Sequence, residues 1–211
     1  MTAQNRTQPK PGPAPTINIG KPQSFTLANG LQVLVVENHK LPRVSFTLTL
    51  DNMPYVEGEK KGVSSLTSSM IGNGTTSIAK ESFNEEIDFL GAEISFYNSG
   101  ASGSGLSKYA GRILELLADG ALHPTFTQSD FEQEKSKLLE SLKAEEKSVP
   151  AVARRVENIL AFGPTHPSGE FLDETSINQV NLEDIIANYK TYFVPENAYL
   201  IIIGDVQLAK V

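Results

Sequence analysis

A change of hydrophobic period along the chain most constrains its fold. Residues 24–36 and 44–50 alternate apolar and polar side chains, which is typical of β-strands. The dipeptide Asn29-Gly30 divides the first of these runs and is a strong hairpin signal. After a long central part with helical spacing, the run AYLIII at 198–203 predicts a buried closing strand. This order predicts an α+β fold, with one mostly antiparallel sheet covered by helices.

The central part contains the remaining predicted elements. Ser82 and Glu85 have the spacing of a capping box, and Asn181 is a predicted N-cap. A strand is predicted at 92–97, and a turn into a strand of small side chains at 98–107. The predicted helices are 61–72, 82–91, 109–122, 129–147, 150–162 and 182–192. We expect a single domain over residues 24–211, preceded by a flexible, proline-rich tether at 1–23.

Charge and composition exclude several classes of protein. The formal net charge is −7 and no basic stripe occurs, which argues against binding to nucleic acid. No window is apolar enough to predict a membrane span. The chain has no cysteine, so disulfides, Cys-ligated zinc and thiol nucleophiles are all excluded.

The three histidines have no metal-ligand spacing. His39 falls in a loop between predicted strands, while His123 and His166 each lie beside a proline at a helix end or turn. Isolated histidines at such places are usually surface residues or helix C-caps. We therefore predict that they do not form a zinc site.

Two other runs suggest chemistry but lack the required context. The glycine-rich run at 100–105 resembles a phosphate loop, yet Lys108 does not directly follow its last glycine. A strand and turn of small residues is the simpler interpretation. The serines at 64, 65, 68 and 69 have no histidine or lysine base near them in the sequence and no nucleophile-elbow pattern around them.

Four segments together resemble the first domain of the pitrilysin/insulinase family of zinc peptidases, of the processing-peptidase type. They are NGLQVLVVENHKLPRVSFTLTL at 29–50, KGVSSLTSSMIGNGTTS at 61–77, FEQEKSKLLESLKAEE at 131–146 and YFVPENAYLIIIGDV at 192–206. The resemblance covers nearly all of the chain from Phe25 to Val206. It implies a metallopeptidase half-chamber domain, one of the two similar domains that family chains usually contain.

The resemblance also implies which residues of the family stand where this chain has its serine-rich segment. Active family members carry H-x-x-E-H there, with two zinc-binding histidines and a glutamate that activates water. Aligned on the flanking glycines and methionine, the two histidines fall on Ser65 and Ser69, and the glutamate falls on Ser68. The third ligand of the family is a glutamate seven residues after another acid. Glu134 matches that acid, which places the ligand at Ser141, with Glu140 as the neighbouring alternative.

These replacements imply a domain that is not an enzyme on its own. Neutral hydroxyls are poor zinc ligands, so we expect zinc only in an active H-x-x-E-H partner subunit. The resemblance implies a hetero-oligomer in which this chain helps to form the chamber and to hold peptide substrate. The alternative is a structural or binding homologue without a role in proteolysis. An active enzyme with ligands elsewhere is disfavoured by the lack of any histidine cluster. We expect a periplasmic or otherwise exported protein.

Overall fold

The computed structural model describes Gly12 and residues 21–210. The predicted tether at 1–23 therefore lies outside the described residues, except for Gly12 and residues 21–23. Gln23 already belongs to the first strand. None of the helices that the structure describes is both long enough and apolar enough to span a bilayer.

The described chain contains six strands and seven α-helices. The strands are β1 (Gln23–Thr26), β2 (Gln32–Glu37), β3 (Arg43–Leu50), β4 (Glu93–Tyr97), β5 (Gly100–Leu106) and β6 (Ala198–Gly204). The helices are α1 (Val63–Met70), α2 (Lys80–Leu90), α3 (Ala110–Leu122), α4 (Gln128–Glu145), α5 (Val149–Phe162), α6 (Glu174–Gln179) and α7 (Leu182–Tyr192). The predicted α+β fold is confirmed.

The six strands form one sheet in the order β1-β2-β6-β3-β5-β4. The last strand in the sequence, β6, lies between β2 and β3, parallel to β2 and antiparallel to β3. Every other pairing is antiparallel, as predicted. Ile202 of β6 is opposite Val35 of β2 and Phe46 of β3, and all three side chains are buried. This central position explains why the closing strand is almost continuously apolar.

Two apolar clusters hold the helices to the sheet and to each other. The larger one joins the sheet to α2 and α3 through buried side chains such as Phe46, Phe83 and Ile113. The smaller one surrounds α1, whose Leu66 packs with Phe131 of α4 and Ile185 of α7. Each fully buried side chain of this size contributes about 2 kcal/mol. The second cluster therefore fixes α1 between α4 and α7.

The small side chains of β5 allow α3 to lie close to the sheet. A Cβ atom at Gly105 would be 2.6 Å from Cδ1 of Ile113, and one at Gly103 would be 3.4 Å from its Cγ2. The glycine-rich run is thus a packing feature of a strand, as predicted, and not a phosphate loop.

One expectation about a helix end was wrong, and one short helix was not predicted. The capping box at Ser82 does not form, because α2 begins at Lys80 and its N-cap, Ala79, makes no side-chain hydrogen bond. The preceding turn closes by a backbone bond from the Thr75 N–H to the Ile78 carbonyl, so the helix starts two residues earlier. The short helix α6 was missed, although Asp173 caps it. The predicted N-cap at Asn181 is confirmed, since its side chain accepts from the Asp184 N–H at 2.9 Å.

Candidate functional site

Helix α1 presents two chemically different faces. Val63, Leu66 and Met70 are buried against the neighbouring helices. Ser65 and Ser69 lie on the opposite side and are exposed. Because residues at i and i+4 are neighbours on a helix surface, these two serines are adjacent. The polar face of α1 is therefore available to line a site.

A cavity of about 220 Å³ lies between α1 and α4. The residues that line it are Ser65, Leu66, Ser69, Glu134, Lys137 and Leu138. The structure thus brings both serines at the predicted histidine positions together with the predicted acid on α4. Each serine is at least 65 positions from Glu134 in the sequence, and only the packing of the two helices brings them together.

The other two predicted positions do not line this cavity. Ser68 is half-buried, and Ser141 is exposed. Seven residues of helix correspond to about 10 Å, so Ser141 is two turns away from Glu134 along α4. Glu140, the alternative position, is exposed as well. The acid that the structure places beside Ser65 and Ser69 is Glu134.

Local hydrogen bonds engage Ser69, Glu134 and Lys137 in the cavity. The Ser69 hydroxyl donates to the backbone carbonyl of Leu66 at 3.0 Å. The Lys137 ammonium donates to Oε1 of Glu134 at 2.8 Å, and the Glu134 side chain is only 12% exposed. The carboxylate is therefore already paired with a cation from its own helix.

The donor set of this cavity does not fit zinc. Zinc sites in proteins use imidazole, thiolate and carboxylate ligands. Here two neutral hydroxyls face one carboxylate that is paired with Lys137. Across residues 21–210, no group of three or more His, Asp or Glu side chains is arranged to hold a metal.

The histidines lie elsewhere and make local contacts. His123 follows α3 as its C-cap, as predicted, and its Nδ1 is 3.0 Å from Oδ1 of Asp119. His39 Nδ1 is 2.7 Å from Oδ1 of Asp205, and this hydrogen bond raises the pKa of His39. The Ser107 hydroxyl donates to the other oxygen of Asp205 at 2.9 Å. Because Ser107 contacts the carboxylate and not the imidazole, the three side chains are not arranged as a catalytic triad.

The N-terminus of α1 is held by a polar network that the sequence did not reveal. The Glu57 carboxylate accepts from the Gly62 N–H at 2.6 Å and from the Ser64 hydroxyl. Ser64 also contacts the Tyr55 hydroxyl at 2.7 Å, to which Asn188 of α7 donates at 2.6 Å. A negative charge at this end also complements the helix dipole. Ser64 is thus a buried structural residue, unlike Ser65 and Ser69.

The turn after α1 is held by Asp119 of α3. The Thr75 and Ser77 hydroxyls each donate to its Oδ2 at 2.6 Å. Burial disfavours the charged carboxylate, but the hydrogen bonds from Ser77, Thr75 and His123 outweigh that effect and lower the pKa of Asp119. This carboxylate therefore joins the segment after α1 to the helix that packs on the sheet.

Replacing Asp119→Asn should destabilise the domain by about 2 kcal/mol near neutral pH, because two hydroxyl donors lose a charged acceptor. A carboxyl with a lowered folded pKa stabilises above its unfolded pKa of about 3.9, and this contribution is lost as the pH falls through the folded pKa. The difference between the two proteins should therefore vanish in acid. Urea unfolding of both proteins at pH values from about 7 to about 2 measures the difference in unfolding free energy. Exposed Asp88→Asn on α2 is the matched control, and an equal effect there would contradict the role of Asp119.

A mixed sheet with helices packed on it, and a cavity between two of those helices, are the features with which known proteins can be compared. The family model of insulinase (peptidase family M16) matches residues 33–162, more than half of the chain. The protein belongs to this family. The resemblance drawn from the four sequence segments is therefore confirmed.

Individual relatives support the same assignment. The chain is 24% identical over 200 residues to the β subunit of the mouse mitochondrial-processing peptidase, covering 92% of this chain and 41% of that protein. A peptidase M16 inactive domain from Pseudomonas fluorescens has a similar fold, with a TM-score of 0.81, 24% identity, and coverage of 90% of this chain and 48% of that one. The first half of the periplasmic protease PqqL from Escherichia coli also matches, with a TM-score of 0.73, 17% identity, and coverage of 90% and 44%. The chain thus spans less than half the length of these relatives.

Proposed function

We propose that this chain is a non-catalytic domain of a family M16 peptidase assembly, in which it forms part of the chamber and holds peptide for an active H-x-x-E-H partner. One observation carries the proposal. Ser65 and Ser69 face Glu134 across the cavity between α1 and α4, and that carboxylate is paired with Lys137. Helices α1 and α4 thus place these side chains around one cavity, and the donors there do not suit zinc.

The residues at this site cannot supply the peptidase reaction. Hydrolysis by this family needs a metal that polarises the peptide carbonyl and a carboxylate that activates water. The position assigned to that carboxylate is Ser68, which is half-buried and borders no part of the cavity. The Pseudomonas fluorescens relative is itself described as an inactive domain. We therefore propose that this domain hydrolyses nothing alone.

Peptide holding needs no metal, and a strand suited to it is retained. β4 is the last strand of the sheet, next to β5, so its outer edge presents backbone donors and acceptors to an added strand. The Phe96 ring of β4 packs against Gly72, which lies just after α1, and against Gly120 of α3. An extended peptide on β4 would therefore run close to the end of α1.

A cleavage assay on three samples tests the proposed function. The samples are the active partner alone, the full-length product of this protein's gene alone, and their mixture. We call that full-length product the parent. We expect no cleavage by the parent alone and a higher rate in the mixture than with the partner alone. Equal rates for the partner and the mixture would contradict the proposal and favour a purely structural homologue.

Backbone pairing at β4 has a separate test, which measures the binding of peptides to the parent and not their cleavage. A substrate peptide with N-methyl groups at alternate residues keeps its side chains but cannot pair along a strand edge. It should bind the parent more weakly than the unmethylated peptide of the same sequence. Equal binding would contradict peptide holding at β4 even if the mixture were active.

We also propose that the protein is exported, because its relatives include the periplasmic protease PqqL. Fractionation of cells that produce the full-length parent from its own gene should place it outside the cytoplasm. Recovery with cytoplasmic markers alone would contradict this.

A further inference from the structure

Two arginines of α5 line a cavity of about 310 Å³ between this helix and the segment that precedes α6. Arg155 is half-buried, and its neighbour Arg154 is exposed. The other residues of the lining are Glu145, Ala151, Asn158, Glu170, Phe171 and Leu172. We call this space the arginine cavity. It shares no lining residue with the cavity between α1 and α4, so it is a separate feature of the surface.

The two guanidinium groups are positioned but not paired. The guanidinium carbon of Arg155 lies 5.0 Å from the centre of the Phe171 ring, which orients this side chain by a cation–π contact. Within residues 21–210, neither Arg154 nor Arg155 forms an ion pair. Arg112 of α3, by contrast, donates to both oxygens of Glu86. The N–H donors of the arginine cavity are therefore available to a ligand.

The arginine cavity has a surplus of positive charge. The Glu170 carboxylate in its lining accepts from the backbone N–H groups of Glu57 and Gly58 at 2.9 and 2.7 Å. The Lys61 ammonium also lies 3.7 Å from Oε2 of Glu170, so this charge is already balanced. Glu145, at the end of α4, is the other carboxylate of the lining. Two guanidinium groups thus stand against one carboxylate, which leaves one positive charge to be balanced.

We propose that the arginine cavity binds a carboxylate group of the peptide that this domain holds; this inference rests on the proposed function. A guanidinium group offers two parallel N–H donors that match the two oxygens of a carboxylate. Phe171 and Leu172 supply apolar surface for the methylene groups of an acidic side chain, and Asn158 supplies an amide for the peptide backbone. A phosphate with two negative charges fits less well, because Glu145 lines the same cavity.

One peptide can reach both β4 and the arginine cavity, which lie near opposite ends of α1. Phe96 of β4 packs just after the end of α1, whereas Glu170 contacts the segment that caps its start. A Cβ atom on Gly62, before α1, would lie 3.7 Å from Leu138 of α4. Glu145 is seven residues, or about 10 Å, further along α4. Together with the eight residues of α1, this gives about 22 Å, which an extended peptide spans with about seven residues.

The binding of synthetic peptides to the parent, measured by fluorescence anisotropy, tests the inference. Each peptide is blocked at both ends and joins a segment of alternating valine and threonine, for pairing with β4, to a glycine–serine tail. The tail carries one glutamate about seven residues from the segment, or a glutamine at the same place. Tails at the N-terminal and at the C-terminal end cover both directions of pairing. In one direction, we expect the glutamate peptide to bind about tenfold more tightly than the glutamine peptide, because its hydrogen bonds are charge-assisted.

A third peptide distinguishes a side-chain carboxylate from the end of the chain. It carries glutamine, and its tail ends at that residue in a free carboxylate instead of an amide. Tighter binding of this peptide than of its amidated form would support the inference and identify the C-terminus as the ligand. Tighter binding of the glutamate peptide alone would support it and identify an acidic side chain.

A pair of matched variants of the parent locates the effect. Arg154→Gln with Arg155→Gln should lower the affinity for the glutamate peptide to that for the glutamine peptide, and leave the latter unchanged. Lys143→Gln with Lys147→Gln removes the same charge at two exposed residues that do not line the cavity. This control should keep the preference for glutamate.

Three results would overturn the inference. Equal binding of the carboxylate and amide peptides by the unsubstituted parent would do so while leaving peptide holding at β4 intact, and this comparison needs no variant to fold. An equal loss in the arginine and lysine variants would do so as well, because it would assign the preference to overall charge. Binding of none of the peptides would contradict both the inference and the proposed peptide holding. These measurements do not depend on cleavage, so the proposed stimulation of a partner is tested separately.

Discussion

Replacing Ser65→His and Ser69→His together with Lys137→Ala should convert the cavity between α1 and α4 into a zinc site. The two imidazoles would project from one face of α1, and the removal of Lys137 would free the Glu134 carboxylate. Two histidines at i and i+4 with one carboxylate form a common three-ligand zinc set. We expect binding of one zinc per chain with a Kd of about 1 μM or tighter, which corresponds to about 8 kcal/mol. Isothermal titration calorimetry and elemental analysis measure it.

The matched control moves one histidine by a single position. Ser65→His and Ser68→His with Lys137→Ala has the same composition, but Ser68 does not line the cavity. It should bind zinc at least about tenfold more weakly, a difference of about 1.4 kcal/mol. A folded Ser65→His, Ser69→His, Lys137→Ala variant that takes up no zinc would contradict the placement of the site.

The third ligand can be identified by the same measurement. Ser68→Glu and Ser141→Glu complete the family pattern when they are added to the histidine variant. If affinity rises with Ser141→Glu and does not change with Glu134→Gln, the position predicted from the resemblance is the ligand. The opposite result would assign that role to Glu134, the acid that the structure places at the cavity.

Replacing Gly100→Ala should destabilise the domain by about 3 kcal/mol or more, because it combines backbone strain with a steric overlap. Gly100 begins β5 with a φ of +140°, which side chains rarely adopt. A Cβ atom there would overlap the backbone carbonyl oxygen of Leu48 on β3. The change would separate β3 from the β4–β5 pair. Chemical denaturation of the Gly100→Ala variant and of the unsubstituted chain gives the difference in unfolding free energy.

Gly111→Ala is the control for this substitution. Gly111 lies in α3 with nothing within 4 Å of the added Cβ. Alanine has the higher helix propensity, so the control should be neutral or more stable by up to about 1 kcal/mol. Similar losses at both positions would show that the geometry at Gly100 is not the cause.

The elements of the fold could be predicted well because each has a local cause. The alternation around Asn29-Gly30 and the helical spacing of α3 and α7 need only neighbouring residues. The position of β6 between β2 and β3 could not be predicted, because hydrophobic pattern shows that a strand is buried but not which strands flank it. Helix α6 was missed because its capping residues, Asp173 and Ser176, do not have the Ser-x-x-Glu pattern used to find such helices.

The candidate site was also predictable from the sequence only where its geometry has a local cause. The adjacency of Ser65 and Ser69 follows from helix geometry alone, so the sequence was sufficient for it. The contact of these residues with Glu134 depends on how α1 packs on α4, which no local pattern contains. The capping of α1 by Glu57 was not predicted either, because it depends on the 3-10 helix at Gly58–Lys60 that folds this carboxylate back onto the start of α1. The assignments of Ser68 and Ser141 rest on the family pattern and remain predictions.

Zinc content is the most direct test of the claim that this family member keeps the scaffold without the metal site. The purified chain is incubated with excess zinc, dialysed extensively and analysed for bound metal beside an H-x-x-E-H member of the family treated in the same way. Serine hydroxyls and a carboxylate paired with Lys137 should leave far less than one zinc per chain, while the reference protein should retain about one. About one zinc per chain held through dialysis by this protein would contradict the account.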